Sequence, residues 1–449
     1  MLYANFLLLS KVVEEKDWLR VRTHSASKVL KSREGEYVRL LGWVASKRTI
    51  GNIVFCLIRD GSGFIQVAGK KGVTDENTLD TMKRVSLESA VMVGGSVKDD
   101  ERAPGGKELS VKEFQIIALA EKWPITKSAI KSSSFLYDNR HLSIRGRKAI
   151  SILKIRSELI YSSLEFFRKH GFFLINAPTL VQSACEGGAT LFDLDYFGKI
   201  AFLTQSAQLY EEAAICAFEK VFVLQPAFRA EKSKTAKHLT EFWMLEAEQA
   251  FATHEDIMKL EEDLVSYVTN SIVEKCSEEL NTIGRKFSPP NPPFPRITYD
   301  EAREIAMSKG IEFEWGDDIP TEAENILSKS FEGPFFITGY PLSARSFYHM
   351  TDPKDERLTL SSDLMAPEGY GEIATGGQRI HDYNTLLERV RKQELPIESF
   401  SWYLDLRKYG LPPHSGFGIG IERLVRWVCG LKHIRATTLF PRTITRITP

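Results

Sequence analysis

A chain of 449 residues, 43% hydrophobic and 26% charged, has the apolar content for two or three domains with cores of their own and falls outside disordered, collagenous and coiled-coil compositions. Its 59 Lys and Arg balance 59 Asp and Glu, so a nucleic-acid partner has to be held by local basic patches rather than by overall charge. The apolar run Phe6–Leu9 is far shorter than the roughly 20 residues of a membrane helix, no leader accompanies it, and the five cysteines stand singly without CxxC spacing; the expectation is a cytoplasmic protein with no membrane partner, disulfide framework or structural zinc.

Basic residues come first along the chain: Arg20, Arg22, Lys28, Lys31, Arg33, Arg39, Lys47 and Arg48 face only Glu34 and Glu36. From Glu36 onward, YVRLLGWVAS, NIVFCLIRDG, FIQVAG, AVMVGGSV and ELSVKEFQIIAL are short β-rich runs separated by Gly and Asp, which predicts a small closed barrel of five strands. Trp123-Pro124 ends that pattern. The polar, basic stretch after it, with Lys131-Ser-Ser-Ser134, reads as a linker, dividing the chain into a barrel domain (1–125, with an extension at 1–19), a linker (126–147) and a larger domain (148–449). The larger domain opens on a predicted helix, Lys148–Lys169, whose stripe is Ile152, Ile155, Leu159 and Phe166, stopped by His170-Gly171. An extended segment, Phe172–Leu180, contains Pro178. VFVLQPAFRAE and LTEFWMLEAEQAF then form a predicted antiparallel hairpin around the charged loop Lys232–His238. An acidic helical region from Thr253 opens a helical insertion reaching about residue 330, broken at Pro289–Pro295. Further strands are predicted at FFITGYPL and SFYHM, and GFGIGI runs into the helix ERLVRWVCGL. Strands and helices do not alternate regularly, so the expected fold class is α+β: a barrel plus a domain built on an antiparallel sheet flanked by helices.

No GxGxxG and no GxxxxGK[ST] occurs. Gly416, Gly418 and Gly420 alternate within a strand instead, leaving a flat floor against which a planar ring can lie, with Arg423 just beyond to reach a phosphate. In the hairpin, residues of equal parity share a face. Arg229 with Glu231, and Phe242, Met244, Glu246 and Glu248, are expected to converge on one surface: arginine for phosphate, phenylalanine for a base, carboxylates for an amino group or metal.

These residues resemble a known family. Pro178 after its helix, FRAEKSKTAKHLTEF and GFGIGIERL look like motifs 1, 2 and 3 of the class II aminoacyl-tRNA synthetases, and the barrel, with GWV and RDGSGFIQV, resembles the OB-fold anticodon domain of the aspartyl/asparaginyl/lysyl subgroup. LTQSAQLYEEA, GEIATGGQRIHDY and HIRATTLFPRT add to the resemblance, which covers nearly the whole chain after about Leu19. It implies that ATP and Mg²⁺ are used and that Arg229 holds the α-phosphate and the amino-acid carboxylate, with Glu231 near the adenine. Phe242 and Arg423 sandwich the adenine, Gly420 borders it, and Lys237, His238 and Leu239 approach the terminal phosphates. Glu372 holds the metal with Thr375 and Asp363, Glu186 and Gln208 meet the substrate ammonium, and Arg379 reads the substrate side chain. In the barrel, Phe55 and Gln66 resemble residues that stack on and read the middle anticodon uridine, with Arg48 on the backbone. Motif 1 implies a homodimer.

Three positions depart from the family pattern: Lys237 where arginine is commoner, Ala207 where aspartyl members have proline, and Ala436 after HIR, which nothing explains. Glu211 stands where aspartyl members carry lysine, and Glu246 where they carry aspartate. A carboxylate here accepts from a side-chain amide and repels a carboxylate, which favours asparagine, with Glu211 adding negative potential. The implied reaction is ATP-dependent ligation of asparagine to tRNA(Asn) through asparaginyl-adenylate. The aspartyl reading stands as the alternative, followed by an adenylate-forming asparagine synthetase, which has no OB domain.

Overall fold

The computed structural model describes residues 17–126, 128–182, 191–232 and 235–449, in two compact units, Met1–Leu136 and Tyr137–Pro449. In the first, β1 (Tyr37–Ile50), β2 (Ile53–Arg59), β3 (Phe64–Lys70), β4 (Ala90–Asp99) and β5 (Lys107–Ala118) close a barrel in the order β1-β2-β3-β5-β4. Alternation makes the interior: Val38 and Leu40 of β1, Val54, Cys56 and Ile58 of β2, and Val91 and Val93 of β4 are buried in one cluster. Helix α1 (Glu76–Arg84), capped by Asp75 accepting from the Asn77 and Thr78 N–H groups, covers it with Leu79 and Met82. Phe55, between the inward Val54 and Cys56, lies outside that cluster.

The second unit is an eight-stranded sheet. In chain order its strands are β6 (Phe173–Leu174), β7 (Lys220–Phe228), β8 (Glu241–Ala250), β9 (Arg296–Thr298), β10 (Phe335–Thr338), β11 (Ser361–Ala366), β12 (Gly371–Gln378) and β13 (His414–Gly420), arranged β9-β10-β11-β12-β13-β8-β7-β6. Pairing is antiparallel except at the two ends, β9 with β10 and β7 with β6. The expected α+β class is the observed one. Helices α2 (Arg147–Lys169) and α4 (His254–Lys275) share one core with the sheet: Ile155, Leu159 and Phe166 of α2 and Leu264, Val265 and Val268 of α4 join Leu245, Ala247, Phe417 and Ile419. The intervening α3 (Gln208–Phe218) follows the short strand Lys199–Leu203. Helix α5 (Thr321–Ser330) packs beside β12, and α6 (Ser401–Lys408) and α7 (Ile421–Val428) complete the elements that matter below.

One strand expectation changes and one hairpin is added. SFYHM is a turn, touching strand pairing only through an isolated bridge from His349 to Arg379. The hairpin β11–β12 carries the pairing instead, and every residue of β11 is buried, so it lacks the alternation by which strands are recognised.

Two histidines beneath and beside the sheet are kept neutral. Burial pushes His254 down to about 4, and burial with the Arg379 charge holds His349 well below its ordinary value. Unfolded, each takes up a proton near pH 6.5, so between there and pH 4 the unfolded chain binds more protons and these groups lose stability for the protein as pH falls. His254→Gln, which keeps a partner for the Ser362 hydroxyl 2.9 Å away, is therefore expected to lose less stability than the parent between pH 6.5 and 4.5 in urea titrations.

Candidate active site

The sheet face opposite α2 and α4 carries the chemistry, because antiparallel register aligns it in rows. Glu246 of β8 lies opposite Gly418 of β13, Gly418 opposite Thr375 of β12, and Thr375 opposite Asp363 of β11. In the next row Glu248 faces Gly416, and Gly416 faces Gly377. Space requires glycine at Gly416, where a Cβ would collide with the Glu248 carboxylate and the Ala247 carbonyl oxygen; at Gly418 a Cβ would meet only the movable end of the Met244 side chain, at 2.8 Å. The floor between the acidic strand β8 and the Thr375 strand is thus bare backbone.

One cavity over this floor is lined by Arg229, Glu231, Lys237, His238, Leu239, Phe242, Glu372, Gly420 and Arg423 at one end and by Gln208, Glu211, Glu246, Thr375 and Arg379 at the other. It thereby brings together nearly all of the expected nucleotide and amino-acid residues. Glu186 lies outside the described residues. Ser206, Tyr348 and His349 also line it and were not foreseen; no motif spacing marks them.

The route by which Arg229 and Glu231 arrive differs from the parity argument. Strand β7 ends at Phe228, and Arg229 begins the loop, its N–H donating to the Thr240 carbonyl at 3.0 Å and its guanidinium 5.8 Å from the Phe242 ring centre. Glu231 reaches the cavity from the same loop, 4.0 Å from His238 Nδ1. Burial, with the nearby Arg423 charge, lowers His238 to about 4, leaving it a neutral hydrogen-bonding group.

Glu372 is the acid at the end of the cavity that Arg423 and Lys237 line. Burial alone would raise it, but Arg423, Lys237 and Arg229 bring it down to about 2, and Arg423 Nη1 donates to its Oε1 at 2.5 Å. Thr375 Oγ1 donates to Asp363 Oδ1 at 2.8 Å and lies 3.3 Å from Glu372 Oε1. Asp363, expected to share the metal, is instead taken on its other oxygen by Arg345 at 2.7 Å and is absent from the cavity lining, so it braces Thr375. Among the described residues no cluster of three or more His, Cys, Asp or Glu stands ready for a metal. One carboxylate kept ionised by Arg423, Lys237 and Arg229 fits Mg²⁺, which is commonly held by one or two carboxylates plus the phosphates of a substrate. Lys237 is held by both oxygens of Glu324 on α5, each at 2.7 Å, a partner that lies 87 residues away.

At the other end, Arg379 is 3% exposed and its guanidinium donates to Glu248 at 3.2 Å, so its charge is already matched. The Glu246 carboxylate, which lines the cavity, accepts from the Ser206 hydroxyl and from the Ala207 N–H at 2.7 Å, and these bonds fix its orientation. Glu211 departs from expectation. It is 1% exposed, its Oε1 has no hydrogen-bond partner among the described residues, and burial together with the Glu246 and Glu248 charges pushes its acid well above the usual range. Burial and the two neighbouring carboxylates thus favour its uncharged form.

In the barrel unit, the three residues expected to meet the anticodon are neighbours on the outer face. The Arg48 guanidinium carbon stands 5.0 Å from the Phe55 ring centre, Arg48 Nη2 donates to Gln66 Oε1 at 3.3 Å, and Gln66 Nε2 donates to Glu108 at 2.9 Å.

A glycine-floored antiparallel sheet with an arginine at either side of one cavity defines the class, and sequence comparison agrees: residues 132–444 match the model of tRNA synthetases class II (D, K and N), and residues 38–117 that of the OB-fold nucleic acid binding domain. The asparagine–tRNA ligase of Thermococcus gammatolerans is 48% identical over 419 residues, 93% of this chain and 97% of its own. The asparaginyl-tRNA synthetase of Pyrococcus horikoshii, solved with asparaginyl-adenylate, superposes with a TM-score of 0.90 at 48% identity over 93% of this chain and 97% of that one. The Entamoeba histolytica asparaginyl-tRNA synthetase in complex with asparaginyl-adenylate gives 0.86 at 31% identity, over 93% and 98%. The chain belongs to the asparagine–tRNA ligase family of class II aminoacyl-tRNA synthetases.

Proposed function

We propose that this chain ligates asparagine to tRNA(Asn) in two steps. The asparagine carboxylate attacks the α-phosphorus of ATP in line, forming asparaginyl-adenylate and releasing pyrophosphate. The terminal ribose hydroxyl of the tRNA then attacks the adenylate carbonyl and releases AMP. The observation that carries this reading is the division of one cavity: cations and an ionised Glu372 at the phosphate end, and at the other end a matched Arg379–Glu248 pair beside the preoriented Glu246.

No protein nucleophile is needed, so catalysis is positioning and charge stabilisation. Arg229 steadies the α-phosphate while its charge redistributes, Phe242 and Arg423 hold the adenine, and Lys237 leaves Glu324 for the terminal phosphates. Gln208 accepts from the substrate ammonium. Glu372, with Thr375 beside it, would hold Mg²⁺, which when bound neutralises phosphate charge. At the side-chain end Arg379 donates to the amide oxygen and Glu246 accepts from the amide NH₂. A substrate carboxylate offers no proton for that second bond and is repelled.

ATP–pyrophosphate exchange measured with asparagine and aspartate side by side tests the reading: exchange with asparagine is expected to dominate, and an enzyme that prefers aspartate would overturn the substrate assignment while leaving the ATP site standing. The barrel supplies tRNA affinity in this scheme. Phe55→Ala is expected to raise the KM for tRNA about tenfold or more, the worth of one stacked base, with exchange unchanged and the barrel's circular dichroism intact.

The same reading includes a homodimer. Edge strand β6 leaves Phe173 and Leu174 half exposed, the Phe173 ring stacked 4.5 Å from the equally exposed Phe218, which is an apolar edge of the kind a symmetric partner covers. Light scattering of the purified chain decides it. Among the described residues no helix is long and apolar enough to cross a membrane, and we place the protein with its substrates in the cytoplasm.

A further inference from the structure

Glu212 is fully buried at the centre of a network that lies beneath the amino-acid end of the cavity. Its Oε1 accepts from Gln208 Nε2 at 3.0 Å and from the Tyr403 hydroxyl at 2.8 Å. Its Oε2 accepts from Arg407 Nη2 at 2.6 Å, with His414 Nε2 3.0 Å away. Burial by itself would raise this acid, but Arg407 and His414 hold it far below the usual carboxylate range. Glu212 is therefore an acceptor and nothing else.

That has a consequence for Gln208, four residues earlier on the same face of α3. A side-chain amide has a donor end and an acceptor end of nearly equal shape, and either can face a cavity. A carboxylate that only accepts draws the NH₂ to itself and turns the oxygen the other way. Gln208 is 6% exposed and lines the cavity, and its side-chain NH₂ donates to Glu212, which leaves the amide oxygen as the end to present.

We propose that Glu212 is a positioning residue which sets the orientation of the Gln208 amide, so that the amino-acid pocket presents an oxygen to the substrate ammonium and not a competing NH₂. Arg407, Tyr403 and His414, drawn from α6 and β13, hold the carboxylate in place for this. The inference rests on the reading that Gln208 meets the ammonium.

The test is a double-mutant cycle in ATP–pyrophosphate exchange. Glu212→Gln, of equal size, is expected to raise the KM for asparagine about tenfold, the effect of losing one charge-assisted hydrogen bond, with the KM for ATP within about twofold. Inhibition by succinamic acid, which is asparagine without its amino group, should be unchanged. In a Gln208→Met background the same Glu212 change should add less than about twofold, because its route of action is gone. Additive losses, or an equal loss of succinamic acid binding, would overturn the positioning role. A Gln208→Met protein with unchanged asparagine KM would overturn instead the assignment of Gln208 to the ammonium. If Arg407, left without its anion, prevents folding, Glu212→Gln with Arg407→Gln removes both charges and is expected to show the same asparagine-specific loss. Failure of both variants to fold would assign Glu212 to the core and overturn the proposal.

Discussion

Arg229→Ala is expected to lower asparagine-dependent ATP–pyrophosphate exchange by about 10²-fold or more, a loss of about 3 kcal/mol, while the protein remains folded. The argument is positional. Arg229 sits just past the end of β7, its backbone fixed by Thr240 and its guanidinium near Phe242, in the cavity that Arg423, Lys237 and Glu372 also line. During attack the α-phosphorus changes charge and geometry, and a planar guanidinium can follow two of its oxygens at once. Arg229→Lys keeps the charge without the fork and should recover only part of the rate. Exchange rates beside superimposable thermal melts check both variants, and a folded Arg229→Ala protein within tenfold of the parent would remove Arg229 from the site.

The second large effect concerns substrate choice. Burial with the Glu246 and Glu248 charges favours the uncharged form of Glu211, so Glu211→Gln is expected to leave asparagine activation within about threefold of the parent. Glu211→Lys differs in kind. It places a cation against Glu246 and Glu248, the two carboxylates that push Glu211 upward, and supplies the positive potential a substrate carboxylate lacks here. The ratio of kcat/KM for aspartate over asparagine is expected to rise by about 10²-fold, on the scale of repairing one unpaired buried charge. Paired exchange assays of the two variants settle it. A large loss in Glu211→Gln would mean that the residue works as an anion, and an unmoved ratio in Glu211→Lys would detach it from specificity.

The barrel was readable because each strand alternates and the joints are Gly and Asp, and the β7–β8 hairpin because its charged loop interrupts two apolar runs. The site was readable as far as its residues sit in compact motifs. Glu231 was placed in the right cavity by the wrong route, since strand parity lapses at Phe228, where the backbone leaves the sheet. The acidic character of Glu211 was read as charge because its type is visible in sequence and its burial is not. Least legible were the long-range partners. Glu212 with Arg407 and Lys237 with Glu324 are joined across 195 and 87 residues, by tertiary packing of helices and a loop that no local pattern announces. Strand β11 is hidden in the sequence for the opposite reason: every residue of it is buried, so it has no exposed phase.

Because Glu246, Gly418 and Thr375 stand abreast on strands whose intervening residues Leu245, Ala247 and Ile419 are core, a single-residue insertion or deletion in any of these strands does more than shift a contact. It would turn carboxylates into the helix layer and leucine onto the substrate, inactivating the molecule and undermining its packing in one event. Changes in chain length are consequently tolerable only in the connections, and adaptation of this pocket has to proceed by exchanging side chains at fixed positions.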